Sequence, residues 1–353
     1  MTPIRSRTAR LALCLCLLPS MFASPADARR EVWTDDQKSK LQQASRLFLD
    51  TVVLTSQADS DRAGIETVLS ERLQSLGYTI VRDAAHPSDL TLKVKCEERK
   101  TWEGPLRSGG DADQPDAAVR LWKGPACQFS YRLEQRWADW RHEVRAEQAG
   151  DSGTQAGPRL IARLREDGFP FLLAAEWQQA ARLLPVLSDP ATTAQQQAAI
   201  ATLLGNMSAV EAIPALGIAV QSPRTEVSQA TLVALGNIGQ EQSIPILLTA
   251  LASTDPRTRL AAIRGLGRLA PLYPTSDIIM ALLAQLPREP IGGQIEIVRA
   301  LGRTTDRRIV SPLKELNRKV QEQARSDSAA DLKELRIALG QALDQFDGTH
   351  TAD

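Results

Sequence analysis

A small α+β domain followed by an all-α repeat solenoid is the fold class this sequence predicts, and three observations carry it. The first is internal similarity: Leu204-Gly205-Asn206 recurs as Leu235-Gly236-Asn237, Leu266-Gly267-Arg268 and Leu301-Gly302-Arg303, at intervals of 31, 31 and 35 residues. The second is a change of period. Up to about Gly168 the chain mixes helical and alternating patterns, and from Phe169 it is Ala- and Leu-rich, helical in period and broken by Gly and Pro. The third is strict alternation in Asp89 to Cys96 and again in Gln128 to Leu133, the period of half-buried strands.

Composition bounds the function. Among 353 residues, 42 Lys and Arg balance 42 Asp and Glu, without the basic surplus of a nucleic-acid-binding protein. Three widely separated His and four Cys give no cage for a transition metal, and no cofactor is expected. No phosphate loop, nucleophile elbow or H-E-x-x-H segment occurs, so no catalytic residue is assigned.

Residues 1–28 read as a secretory signal: Arg5, Arg7 and Arg10 precede the apolar run Leu11 to Ala23, and Ala26-Asp27-Ala28 supplies a small-residue cleavage site. That run is shorter than the roughly 20 residues needed to span a bilayer, so no membrane span is expected after processing. Cys14 and Cys16 leave with the leader. The mature chain then holds 39 basic and 41 acidic residues and is expected in the periplasm or secreted. In that oxidising space Cys96 and Cys127, one ending a strand and the other beginning the next, are expected to form a disulfide.

The α+β domain is placed at 29–168. Its elements are a helix from Thr34 to Leu49, a short strand Val52 to Thr55, a helix from Ala63 to a stop at Gly77, and strands at Tyr78 to Val81, Asp89 to Cys96 and Gln128 to Leu133. A further strand is expected within Arg141 to Ala146, and a helix from Pro158 to Glu166 follows a Gly-rich loop, Ala149 to Gly157. Residues 103–118, with Gly109-Gly110, Pro105 and Pro115, read as a mobile loop. Trp122, Trp137 and Trp140 suggest an aromatic platform, against the plainer expectation that tryptophan fills a sheet–helix interface. Glu97-Glu98 reads as a strand end, and Asp111 with Asp113 lacks the spacing of a calcium loop. Leu73 to Val81 followed by Ser88-Asp89-Leu90-Thr91-Leu92 resembles small envelope domains of the TolB N-terminal type.

The solenoid is placed at 169–346, with a disordered tail at 347–353. Each unit reads as a helix, a turn containing Gly205, Gly236, Gly267 or Gly302, and a second helix opened near a proline, as at Ile213-Pro214 and Ile244-Pro245. One hairpin cannot bury its own apolar stripe, whereas stacked hairpins can. Ser222-Pro223-Arg224 through Ile246-Leu247 resembles a HEAT repeat, notably the short kind of phycobilisome-lyase-like proteins, and Asp255-Pro256-Arg257 begins the next. That resemblance implies an all-α HEAT-like solenoid serving as a protein-binding scaffold or adaptor. The rival readings are an enzyme or cofactor-handling accessory of the phycobilisome-lyase-like kind, and a ligand-binding N-terminal domain coupled to the solenoid. Arg264, Arg268, Arg299 and Arg303 recur at matching positions and would align as a basic ridge, either a docking site for an acidic protein or solvated cations offsetting helix dipoles. The partner's identity and the oligomeric state are left open.

Overall fold

The computed structural model describes residues 33–54, 57–97, 102–105, 119–122, 126–144, 156–166, 168–324 and 330–347. The expected leader at 1–28, the part of the expected tail beyond residue 347, and residues 106–118 and 149–155 of the two expected loops lie outside them.

The first helix, α1 (Asp35–Gln43), opens with a capping box: the Gln37 backbone N–H donates to the Thr34 hydroxyl at 3.2 Å and the Thr34 N–H to the Gln37 side chain at 3.1 Å. It stops six residues before the expected end, because Arg46–Leu54 forms strand β1 instead. The run from Thr51 to Val53 is β-branched, and β1 gains ladder hydrogen bonds on both of its edges, which outweighs the local helical spacing. Helix α2 (Ala58–Ser75) buries Ile65, Val68, Leu69 and Leu73, and Gly77 follows at a φ of 78°, the left-handed stop expected of it.

Strands β2 (Thr79–Val81), β3 (Leu90–Glu97), β6 (Ala126–Leu133) and β7 (Arg136–Val144) join β1 in a mixed sheet of order β2-β1-β3-β6-β7. The pairings β1–β2 and β1–β3 are parallel, and β3–β6 and β6–β7 are antiparallel. Between them, β4 (Trp102–Pro105) and β5 (Val119–Trp122) pair as a separate antiparallel ribbon, so the ends of the expected loop at 103–118 are strand. Strand β7 begins five residues before the expected Arg141. Helix α3 (Ala156–Glu166) packs with α2, and both lie against the sheet. Leu90, Leu92, Val94 and Cys96 of β3 face this core with Phe129 and Tyr131 of β6. In that register Cys96 stands directly opposite Cys127, both fully buried, with their sulfurs at a bonding separation of 2.11 Å.

The C-terminal half is helical. After α4 (Phe171–Glu176) and α5 (Ala180–Ser188) come five longer helices that stack in succession: α6 (Ala194–Asn206), α8 (Thr225–Ile238), α10 (Pro256–Leu269), α12 (Ile291–Leu301) and α14 (Ala330–Asp347). Between them run α7 (Ile213–Ala219), α9 (Ile244–Ala250), α11 (Ser276–Gln285) and α13 (Val310–Gln323), with Pro214 and Pro245 in the first turns of α7 and α9.

Three of the four recurring glycines are not turn residues; only Gly302 stands in the turn that follows its helix. Gly205, Gly236 and Gly267 lie inside the stacking helices, and Gly302 caps α12 in right-handed helical geometry. Their role is close approach. A Cβ on Gly205 would fall 2.7 Å from the Cα of Ala234, one on Gly236 2.6 Å from the Cα of Gly265, one on Gly267 2.9 Å from the Cβ of Ala300, and one on Gly302 2.8 Å from the Cβ of Ala342. Each first helix therefore meets the next nearly backbone to backbone. The turn after α8 uses Gly239 at a φ of 74°.

A buried polar clasp joins the halves. The Gln179 amide donates to the carbonyls of Leu41 at 2.6 Å and Ala44 at 3.0 Å, while its oxygen accepts from the Tyr78 hydroxyl at 2.6 Å and the Arg182 guanidinium at 2.8 Å. Arg182 also donates to the carbonyls of Leu76 and Ala44 and lies 4.0 Å from the Tyr78 ring centre. Burial raises the Tyr78 phenol above its ordinary range. Trp177 meets both Tyr78 and Tyr131 edge-on, so aromatic side chains of the two halves share one core.

Candidate functional site

The repeated arginines occupy the exposed side of the stacked helices. Arg264 and Arg268 sit one turn apart on α10, Arg299 is in the last turn of α12, and Arg303 follows that helix. They do not form a uniform basic ridge. Arg264 donates to Glu296 Oε1 on α12 from Nη2 at 3.0 Å and Nε at 3.2 Å, and Arg299 Nη2 lies 2.8 Å from Glu334 Oε1 on α14. Half of the expected ridge is thus two ion pairs, one linking α10 to α12 and the other α12 to α14. Exposed pairs of this kind are worth about 0 to 1 kcal/mol, so they set surface charge more than they set stability.

Arg268 and Arg303 differ. Among the described residues neither has a carboxylate within ion-pair distance. Arg303 turns its Nε to the Arg299 carbonyl at 3.2 Å and lays its guanidinium against Gly267, with Nη2 3.4 Å from where a Cβ would stand. Beside it a groove of about 390 Å³ runs between α12 and α14, floored by Gly302, Ala338 and Ala342 and edged by Arg299, Arg303 and Gln341.

The sequence reading missed Glu296 and Glu334. The signal for them was the repeat itself, since each glutamate stands about one period after the arginine it meets. It also missed Glu289, a buried carboxylate before α12 whose Oε1 accepts from Arg259 Nε at 2.6 Å and also from the Gln285 amide. That pair clamps α10 to α12 and is structural.

A groove of about 530 Å³ separates α7 from α9, lined by Gly217, Val220, Pro245, Ile246 and Thr249, with Ile218 exposed nearby. Trp137 does not fill the sheet–helix interface: it is 39% exposed on the opposite sheet face, with Lys93 Nζ 5.6 Å and the Arg132 guanidinium 5.4 Å from its ring centre. Lys93 pairs there with Asp50 at 3.2 Å. The side chains of Trp122 and Trp140, and the residues Glu98, Asp111 and Asp113, lie outside the described structure, while Glu97 ends β3 as expected. Among the described residues no group of three His, Cys, Asp or Glu is placed to hold a metal, and no helix is long and apolar enough to cross a membrane.

Residues 180–267 match the family model described as HEAT repeats. Among solved structures, the chain is similar to human deoxyhypusine hydroxylase in complex with glycerol, at 16% identity and a TM-score of 0.25, over 57% of this chain and 92% of that one. Comparison with curated proteins finds no match. The C-terminal half is all helical, and its stacked helices together with the match at residues 180–267 are consistent with a HEAT-like solenoid.

Proposed function

We propose that the chain is an exported, non-catalytic scaffold or adaptor that holds another envelope protein against its HEAT repeats. The observation that carries this reading is the exposed ridge of the stacked helices, where a regular array of arginines on a repeat framework is only half neutralised by the array's own glutamates. Export rests on the basic start, short apolar run and Ala26-Asp27-Ala28 of the leader.

The test is chemical crosslinking in the exporting cell followed by co-purification and mass measurement. A discrete partner, with a mature N-terminus near Arg29, is the expected result. A chain that retains Met1 removes the export reading, and a chain that crosslinks to nothing removes the scaffold reading. A second reading, ligand binding by the α+β domain, draws support from exposed Trp137 beside Lys93 and Arg132. It predicts quenching of tryptophan fluorescence by a small anionic ligand, abolished by Trp137→Ala.

A further inference from the structure

We propose that Arg268, Arg303 and the groove between α12 and α14 form the seat for an extended acidic segment of the partner, an assignment that rests on the scaffold reading above. The four ridge arginines divide by what stands one repeat further on. Arg264 and Arg299 meet Glu296 and Glu334. The matching residues for Arg268 and Arg303 are Ala300 and Ala338, which are buried and carry no charge. Ala338 forms part of the floor of the groove beside Arg303, and among the described residues no carboxylate meets the terminal nitrogens of Arg303.

Offsetting the dipole of α12 accounts for only one nitrogen of Arg303. The carbonyls that end this helix already have donors: the Leu301 carbonyl accepts from the Thr304 hydroxyl at 2.7 Å, the Gly302 carbonyl from the Gln345 amide at 3.0 Å, and the Arg299 carbonyl from Arg303 Nε itself. Among the described residues the two terminal nitrogens of Arg303 have no carboxylate partner, and Nη2 lies against Gly267, the residue before Arg268 in α10. A floor of Gly302, Ala338 and Ala342 lets a polypeptide backbone approach closely, and the Gln341 amide at the edge supplies both a donor and an acceptor for it. Charge, floor and edge together fit an extended chain bearing carboxylates.

The probe is a fluorescein-labelled octapeptide of alternating Glu and Gly, followed by fluorescence anisotropy with the mature full-length chain at low salt. Its Gln-for-Glu counterpart is the control. Binding is expected for the Glu peptide, weakening with added salt. The double variant Arg268→Gln/Arg303→Gln should bind about tenfold more weakly with an unchanged Tm. The charge-neutral control Arg264→Gln/Glu296→Gln should bind within about twofold of the parent. Equal binding of the Gln peptide, or undiminished binding by the double variant, would overturn the assignment. So would binding to phosphatidylglycerol vesicles that the Glu peptide fails to displace, which would point to a lipid surface. If the peptide does not bind while crosslinking still captures a partner, the groove assignment fails and the scaffold reading stands. Loss of both removes the two together.

Discussion

In the α+β half, Asp89 reaches back 44 residues to the backbone of Ser45, Cys96 meets Cys127 across 31, and the strands of the mixed sheet bury large side chains such as Leu47, Phe129 and Tyr131. In the solenoid each helix meets the one a single repeat away, through glycine and alanine rather than through bulk. One half is fixed by strand register and long-range cross-links, the other by how closely neighbouring backbones approach. The comparison teaches where each half is vulnerable: the first to loss of a bond or partner, the second to added volume.

The largest expected effect belongs to the first half. Removing the cross-link with Cys96→Ala/Cys127→Ala should lower stability by about 3 to 4 kcal/mol from the entropy of the freed 31-residue loop, as measured by chemical denaturation. The parent treated with reductant should move the same way, and no change in either would show that the cross-link is absent in solution.

Next comes the addition of one methyl to the second half. Gly236→Ala sets a Cβ against the Gly265 backbone at 2.6 Å and should destabilise by about 2 to 3 kcal/mol. Gly340→Ala in α14, where a Cβ meets nothing within 4 Å, should instead stabilise by about 0.5 to 1 kcal/mol. Equal effects from the two substitutions would remove the close-approach account.

The clasp ranks between these two alanine substitutions. Gln179→Ala leaves the buried Leu41 and Ala44 carbonyls and the Tyr78 hydroxyl without this partner, for a loss of about 1 to 2 kcal/mol. Tryptophan fluorescence and circular dichroism should report one transition in the parent and two in the variant, because this residue couples the halves.

Acid gives the smallest effect. Burial raises the Asp89 carboxyl, but the backbone N–H groups of Ser45 and Arg46, with the Ser45 hydroxyl, outweigh it and hold the group below its usual range. Its stabilisation is complete above the unfolded value near about 4 and disappears as pH falls through the lower folded value. Asp89→Asn should flatten the acid limb of the stability curve by lowering stability near neutrality, while leaving it almost unchanged at low pH, where the parent carboxyl is already protonated.

Much of this was legible in the sequence. The helix stopped by Gly77 and the alternating strands at Asp89 and Gln128 are local patterns, and the disulfide followed from two cysteines at facing strand ends. The repeat period announced the solenoid. The end of α1 was hidden because β1 becomes a strand only when β2 and β3 flank it. Gly205, Gly236 and Gly267 were misread because a turn and a close helix crossing demand the same residue, and only the neighbouring helix distinguishes them. Gln179 carries no local signal, since its acceptors lie 138 and 135 residues away. The arginines were visible, but their division into paired and unpaired required knowing which glutamates face them.

Hydrogen exchange on the chain, alone and in complex with the crosslinked and purified partner, tests the scaffold reading most directly. The expected result is slowed exchange in α10, α12 and α14, centred on the segments around Arg268 and Arg303, with the five-stranded sheet unchanged. Slowed exchange confined to β3, β6 and β7, with the solenoid unaltered, would contradict it and move the binding site to the α+β domain.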